Sequence, residues 1–178
     1  SVYPPSIRPG MNAGLLLRFF LEKCSSVDEV VFYLNRLPIS SAQTFTVADA
    51  SGNLAVLECY CDKVIVLRPT KEKPYVCATN RFHSDELSLA NTQGIDDWQA
   101  ETRYQTLINF LEAHAKGMSL GESKQLLRGE HGFLCQYDRS TGKDTVWSVL
   151  YDLKDHQIYR AEKNPIRTDY KLDKRFSF

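Results

Sequence analysis

The chain has 178 residues, and its 22 lysines and arginines balance its 22 aspartates and glutamates. This balance provides no positive field to attract nucleic acid or an anionic membrane surface. An apolar fraction of 43% is ordinary for a soluble globular protein, and the length predicts a single domain over residues 1–178. No apolar run approaches the ~20 residues of a membrane span, so we expect neither a nucleic-acid partner nor a membrane partner.

The five cysteines are odd in number and lie in or beside apolar runs. This usage favours reduced thiols in a cytoplasmic protein over a secreted disulfide framework. Cys59 and Cys61 are separated by one residue, but no second cysteine or histidine pair follows at a zinc-site spacing. We therefore predict no metal and no cofactor.

Two short helices are predicted near the start, after the proline-rich opening "SVYPPSIRPG". Residues 15–24 place apolar side chains at helical spacing. Ser26 and Glu29 form a capping-box pattern that begins a second helix, whose apolar positions extend from Val27 to Leu37. The opening is typical of a connecting loop and lacks the basic and apolar regions of a signal peptide, so we expect the downstream part of a longer polypeptide.

The period then changes to that of β-strands. Four β-rich runs, separated by turn residues, lie at residues 44–48, 54–60, 64–67 and 75–78. Gly52 and Asn53 suit the first hairpin because both tolerate positive φ. These runs predict one antiparallel meander, and its near-continuous apolar stretches indicate a sheet covered on both faces.

Helices dominate the next part of the chain, and a last hairpin follows them. The predicted elements are a helix over 98–116, a helix over 122–127, a strand over 133–136 and a hairpin formed by "TVWSVLYDL" and "QIYRAEK". We expect the tail, residues 164–178, to lie against the body without an element of its own. This order of elements predicts an α+β fold in which helices pack on antiparallel sheets.

Motifs that would reveal an active site are scarce. No Gly-x-Ser-x-Gly elbow, glycine-rich phosphate loop or His-Glu-x-x-His pair occurs, and the four histidines are interpreted as surface or turn residues. Two polar residues are unusual for their surroundings. Asn80 follows an apolar run, where it either caps a turn or aims a fixed amide at a reacting carbonyl. Arg103 lies within a long helix, where it either extends to the surface or faces a pocket.

Five segments together resemble a known family. In order they are "RPGMNAGLLLRFFLEKCSSVDEVVFYLNRLP", "TFTVADASGNLAVLE", "ATNRF", "ETRYQTL" and "TVWSVLYD". They are similar to the C-terminal part of the acyl-coenzyme A:6-aminopenicillanic acid acyltransferase-like peptidases. These are linear-amide hydrolases with an N-terminal nucleophile, related to the choloylglycine hydrolases and penicillin V acylases. The resemblance implies a four-layer αββα sandwich whose N-terminal part is missing from this chain.

The resemblance also implies a mechanism and two site residues. In the family, a cysteine freed by autocatalytic cleavage attacks the amide carbon while its own α-amino group serves as base. The segment Thr79-Asn80-Arg81-Phe82 matches the family's Thr-Asn-His-Phe, so Asn80 is implied to help hold the nucleophile and the oxyanion. Arg81 replaces the usual histidine. Arg103 matches an arginine that orders the polar network of the same pocket.

No residue of this chain is assigned as the nucleophile. Ser1 is soon followed by Pro4 and Pro5, which forbid the strand that a terminal nucleophile must begin. The resemblance therefore implies a small-molecule amide or acyl substrate and a cysteine upstream of Ser1, and we expect the isolated chain to be inactive. Its open sheet edge would be covered by its own N-terminal segment, another chain or a second copy in a homo-oligomer. The alternative is a truncated or diverged non-catalytic member that serves as a binding or structural domain.

Overall fold

The computed structural model describes residues 9–60, 62–91 and 97–175. The chain divides into two compact units, Ser1–Glu101 and Thr102–Phe178. Both units combine helices with an antiparallel sheet, which confirms the α+β class. The single domain and the four-layer sandwich stay predictions. Within the described residues, no helix has the length and apolar character needed to cross a membrane.

The first unit opens with two helices, α1 (Ala13–Lys23) and α2 (Val27–Leu34). The side chain of Asn12 accepts the N–H of Leu15 at 3.0 Å, and that of Ser26 accepts the N–H of Glu29 at 3.2 Å. Each helix therefore begins at a side-chain cap that satisfies a backbone donor without an intrahelical partner. Helix α2 ends at Leu34, before the predicted Leu37.

Three strands follow in the order β1 (Gln43–Ala48), β2 (Leu54–Tyr60) and β3 (Lys63–Leu67). Both pairings are antiparallel, with Phe45 opposite Leu57 and Leu57 opposite Val66. The first three strands of the predicted meander are thus confirmed.

The predicted fourth strand, residues 75–78, is wrong, because these residues pair with no strand in the described part of the chain. Thr70 and Lys73 close a turn with an N–H to carbonyl bond of 2.8 Å, and Pro74 follows without an N–H to donate. Residues with high β-propensity form a strand only where a partner pairs with them.

Strand β2 has two buried faces. Leu57 and Cys59 pack with Leu16, Phe20 and other side chains of α1 and α2 in the main hydrophobic core. Because successive side chains of a strand alternate in direction, Val56 and Glu58 belong to the opposite face. That face is also buried, since Val56 and Glu58 are each 1% exposed.

The opposite face is covered by the segment that follows residue 78. The Phe82 ring contacts the Tyr60 ring edge-on, with 5.9 Å between centroids. A short helix, α3 (Asp85–Ser88), comes next, and its Leu87 is buried. This segment contains the motif around Asn80.

The second unit contains α4 (Ala100–Ala113, which begins at the end of the first unit), α5 (Leu120–Leu127), a 3₁₀ helix (Arg139–Thr141) and strands β4 (Ser148–Asp152), β5 (Gln157–Ala161) and β6 (Lys171–Leu172). The strands form an antiparallel sheet in the order β4-β5-β6, which confirms the last hairpin. Part of the tail joins this sheet as β6, so the expectation that the tail forms no element is wrong.

The predicted strand at 133–136 is also wrong, because these residues form a loop. Gln136 Oε1 accepts the backbone N–H groups of Leu134 at 2.7 Å and Cys135 at 2.9 Å. Two donors that a strand would need for its ladder are therefore bound to a side chain within the loop.

Candidate functional site

Asn80 lies at the edge of a cavity of about 300 Å³ in the first unit. Residues 42–44, at the start of β1, form part of its lining, and residues 79–82 form the rest. Asn80 is exposed and follows residues that make no strand, so the expectation that it ends a paired strand is wrong. The structure places Asn80 among the residues that line this cavity, and its catalytic role stays a prediction.

The segment after Asn80 is fixed by a buried carboxylate. Glu58, which is 1% exposed, accepts the backbone N–H of His83 at 2.6 Å. It also accepts the N–H of Ser84 at 3.1 Å and the hydroxyl of Ser84 at 2.6 Å. Hydrogen bonds to a charged group contribute about 1.5–3 kcal/mol each, so β2 holds this segment firmly.

A second side chain holds the same segment. The Asn91 amide accepts the N–H of Phe82 and donates to the carbonyl of Phe82, both at 2.9 Å. The backbone of Phe82 therefore has the two bonds that a strand partner would give it. The cavity wall is fixed by side chains instead of by a β-ladder.

Thr79 and His83 are joined by a side-chain contact of 2.8 Å between Oγ1 and Nε2. Burial lowers the pKa of His83 and the Arg81 charge adds to this, although the Glu58 and Glu101 carboxylates act in the opposite direction. The imidazole is therefore neutral at pH 7. This contact links the two ends of the short stretch that contains Asn80 and Arg81.

Arg81 carries the positive charge in the cavity wall. Its Nη1 lies 3.5 Å from Asp97 Oδ2, and both side chains are mostly buried. The other oxygen of Asp97 accepts the N–H of Ala100 at 3.1 Å, which fixes the carboxylate at the beginning of α4. The ion pair thus holds Arg81 in place beside the cavity.

Gln43, opposite Cys59 in the register, belongs to the cavity lining, and its side-chain amide is buried on the α1/α2 face of the sheet. The residue is only 8% exposed, and its Nε2 donates to Ser41 Oγ at 3.1 Å. Its Oε1 is buried without a hydrogen-bond partner in the described part of the chain. A buried acceptor left unpaired costs about 1–3 kcal/mol.

Arg103, the other predicted site residue, is partly buried on α4 in the second unit. Asn80 belongs to the first unit. The expectation that the two side chains meet in one pocket stays a prediction.

Three cysteines, Cys24, Cys59 and Cys135, are poor nucleophiles because burial raises the pKa of each thiol. Burial raises the pKa of Cys59 to about 12, and the Glu58 charge adds to the rise. Burial raises the pKa of Cys135 to about 11 and also raises that of Cys24. A cysteine nucleophile needs a lowered pKa, so none of these three thiols is suited to attack. Cys61 lies outside the described residues. Across 9–60, 62–91 and 97–175, no cluster of three metal-ligating side chains is found.

Glu58 and Gln43 are among the residues of this site that the sequence analysis missed. The sequence does indicate a structural role for Glu58, because a charged residue within the apolar run of β2 must find buried partners. Nothing in the sequence distinguishes Gln43, since a glutamine at the start of a strand is ordinarily solvated.

The comparisons with known proteins give one match. The model of the family described as acyl-coenzyme A:6-aminopenicillanic acid acyl-transferase matches residues 4–167. This is the family that the five quoted segments resemble. A search of curated proteins and a search of solved structures each found no match.

Proposed function

Because the chain belongs to the acyl-coenzyme A:6-aminopenicillanic acid acyltransferase family, which indicates acyl transfer or amide hydrolysis in general, we propose that it acts on a linear amide bond. The nucleophile is an N-terminal cysteine upstream of Ser1, freed by autocatalytic cleavage. Its sulfur bonds to the carbonyl carbon and its α-amino group takes the thiol proton. The C–N bond then breaks, and the leaving amine takes that proton. Water or an acceptor amine resolves the thioester.

The observation that carries this proposal is the position of Asn80 at a cavity whose wall is held in place by hydrogen bonds to Glu58 and Asn91. A donor stabilises a developing oxyanion only if it is held in place before the reaction, and one such donor contributes about 3 kcal/mol. The bonds from Glu58 and Asn91 to residues 82–84 supply this rigidity. Asn80 is the proposed donor. We keep Arg103 as a proposed site residue on the family resemblance alone.

The four-layer αββα sandwich belongs to the same proposal. Among the described strands, β3 pairs only with β2. A further strand could therefore pair with the other edge of β3. A segment upstream of Ser1 would add strands to the sheets and bring the cysteine to the cavity. An exposed edge must otherwise be covered by another chain.

The test is to locate the acyl group on the protein. The full reading frame, expressed and processed, is mixed with penicillin V or N-phenylacetylglycine and quenched within one turnover. Peptide mapping by mass spectrometry should find the acyl adduct on a terminal cysteine upstream of Ser1. An adduct within residues 1–178 would contradict this mechanism.

The 178-residue chain alone is the matched control and should show no turnover. Turnover that disappears on Ser1→Ala would identify Ser1 as the nucleophile. If the full protein forms no adduct and hydrolyses neither amide, the non-catalytic alternative is correct.

A further inference from the structure

The backbone around Asn80 is held differently on its two sides. On the C-terminal side, the Asn91 amide binds the N–H and the carbonyl of Phe82, both at 2.9 Å. On the N-terminal side, residues 75–78 form no strand within the described part of the chain, so no β-ladder there fixes the approach to Asn80. A rigid position for the Asn80 amide therefore requires a further contact on the N-terminal side.

His83 supplies a contact of this kind. Its backbone N–H donates to the buried Glu58 carboxylate at 2.6 Å, which ties the residue to the middle of β2. Its side chain extends back along the chain, and Nε2 lies 2.8 Å from Thr79 Oγ1. Because Thr79 directly precedes Asn80, the imidazole connects a residue anchored on the sheet to the neighbour of the proposed oxyanion donor.

The contact between Thr79 and His83 does not require one protonation state of the ring. A threonine hydroxyl can donate or accept a hydrogen bond, and a neutral imidazole has one donor nitrogen and one acceptor nitrogen. Thr79 Oγ1 therefore donates to Nε2 in one tautomer and accepts from it in the other. A protonated ring donates from both nitrogens, so the same two atoms can stay bonded. The contact thus depends on the presence of the two side chains and not on the charge of His83.

We propose that His83 is a positioning residue for the reaction, and that through Thr79 it holds the Asn80 amide where the oxyanion forms. The inference rests on the proposed function and adds a residue that lies outside the cavity lining. A displacement of about 1 Å at a reacting group can lower the rate about 100-fold, so loss of the contact should slow acylation about tenfold or more. Substrate affinity should change little, because an oxyanion donor acts in the transition state.

The experiment measures single-turnover acylation of the full, processed protein by the amide, penicillin V or N-phenylacetylglycine, that forms the adduct described above. A series of substrate concentrations separates the acylation rate at saturation from the substrate affinity. His83→Ala and Thr79→Val, which keeps the shape of threonine without its hydroxyl, should each slow acylation about tenfold or more and leave the affinity unchanged. Thr46→Val is the matched control, at an exposed position of β1 outside the cavity lining, and should react at the wild-type rate.

Further variants show whether the effect of His83 reaches the reaction through Asn80. A glutamine places its amide near the position of imidazole Nε2, so His83→Gln should recover most of the lost rate, as should Thr79→Ser. The double variant His83→Ala/Thr79→Val should react as slowly as the slower single variant, since both changes remove the same contact. In an Asn80→Ala background, His83→Ala should cause no further loss. A purely structural role would lower the rate by the same factor with and without the Asn80 amide.

The inference is overturned by a wild-type acylation rate in His83→Ala or in Thr79→Val, or by an equal loss on His83→Ala with and without the Asn80 amide. If His83→Ala does not fold, Thr79→Val in the two backgrounds gives the same comparison. A wild-type protein that forms the adduct while the variants keep its rate overturns this inference alone. A wild-type protein that forms no adduct overturns the proposed function and this inference with it, so the wild-type sample distinguishes the two failures.

Discussion

The carboxylate of Glu58, in the middle of β2, accepts the backbone N–H of His83 at 2.6 Å across 25 positions of the chain. The same carboxylate binds the N–H and the hydroxyl of Ser84. These bonds join the buried sheet to the segment that carries Asn80 and Arg81. The precision of the candidate site therefore depends on a side chain that does not line the cavity.

Replacing Glu58 with alanine should destabilise the protein. The substitution leaves two backbone N–H groups and a hydroxyl without their acceptor, and each unsatisfied buried group costs about 1–3 kcal/mol. We expect the free energy of unfolding, measured by urea denaturation, to fall by about 3 kcal/mol or more. Glu86→Ala, at an exposed position of α3, is the control and should stay within about 0.5 kcal/mol of wild type. A loss below about 1 kcal/mol for Glu58→Ala would contradict the role assigned to this carboxylate.

His83 should make the protein less stable on mild acidification. Burial lowers the pKa of His83 below its ordinary value of 6.5, so the unfolded state binds a proton more readily than the folded state. Stability must then rise with pH between the folded and unfolded values and fall as the pH drops from 7 through this window. NMR titration of the imidazole should give a pKa below 6.5, and His83→Gln should lose less stability than wild type between pH 7 and pH 5. An imidazole pKa above 6.5 would reverse the expected sign of the dependence of stability on pH.

Asp173 should give a pH dependence of the same direction, in a lower pH range. Hydrogen bonds from Arg175, at 2.9 and 2.8 Å, lower the pKa of Asp173 to about 2, and the charges of Arg175 and Arg160 act in the same direction. The carboxylate stabilises the fold fully above its unfolded pKa of about 3.9 and loses this contribution as the pH falls towards 2. Asp173→Asn should lower the urea midpoint at pH 7, and the difference from wild type should shrink below pH 4. A constant difference from pH 7 to pH 3 would show that ionisation is not its cause.

Asn164 should be essential to the second unit. It is 1% exposed, and its Nδ2 donates to the carbonyl of Cys135 at 2.6 Å and to Asp144 at 2.8 Å. Its Oδ1 accepts the N–H of Ile166 at 3.0 Å. Asn164→Ala should lower the unfolding free energy by about 2–4 kcal/mol, because a buried network loses its shared member. Asn109→Ala, at an exposed position of α4, should have little effect, and equal effects of the two variants would be evidence against this network.

Local patterns predicted much of the fold. The capping motif at Ser26 marks the start of α2, and the β-rich runs around Gly52 mark the first hairpin, because these signals depend on neighbouring residues. Residues 75–78 and 133–136 have strand-like composition but form no strand within the described part of the chain, and composition carries no information on pairing.

The candidate site was predicted only in part. The family resemblance indicates Asn80, which the structure places at a cavity. The supporting contacts of Glu58 connect residues 25 and 26 positions apart, so no local window contains them.

The acylation rate of Asn80→Ala in the full, processed protein tests the role of this cavity most directly. Single-turnover formation of the acyl adduct should be about 100-fold slower than in wild type, the usual effect of one lost oxyanion donor, with little change in stability. Asn35→Ala, at an exposed position of the same unit, should react at the wild-type rate. An unchanged acylation rate in Asn80→Ala would contradict the assignment of Asn80 to the oxyanion and leave it as a residue that caps a turn.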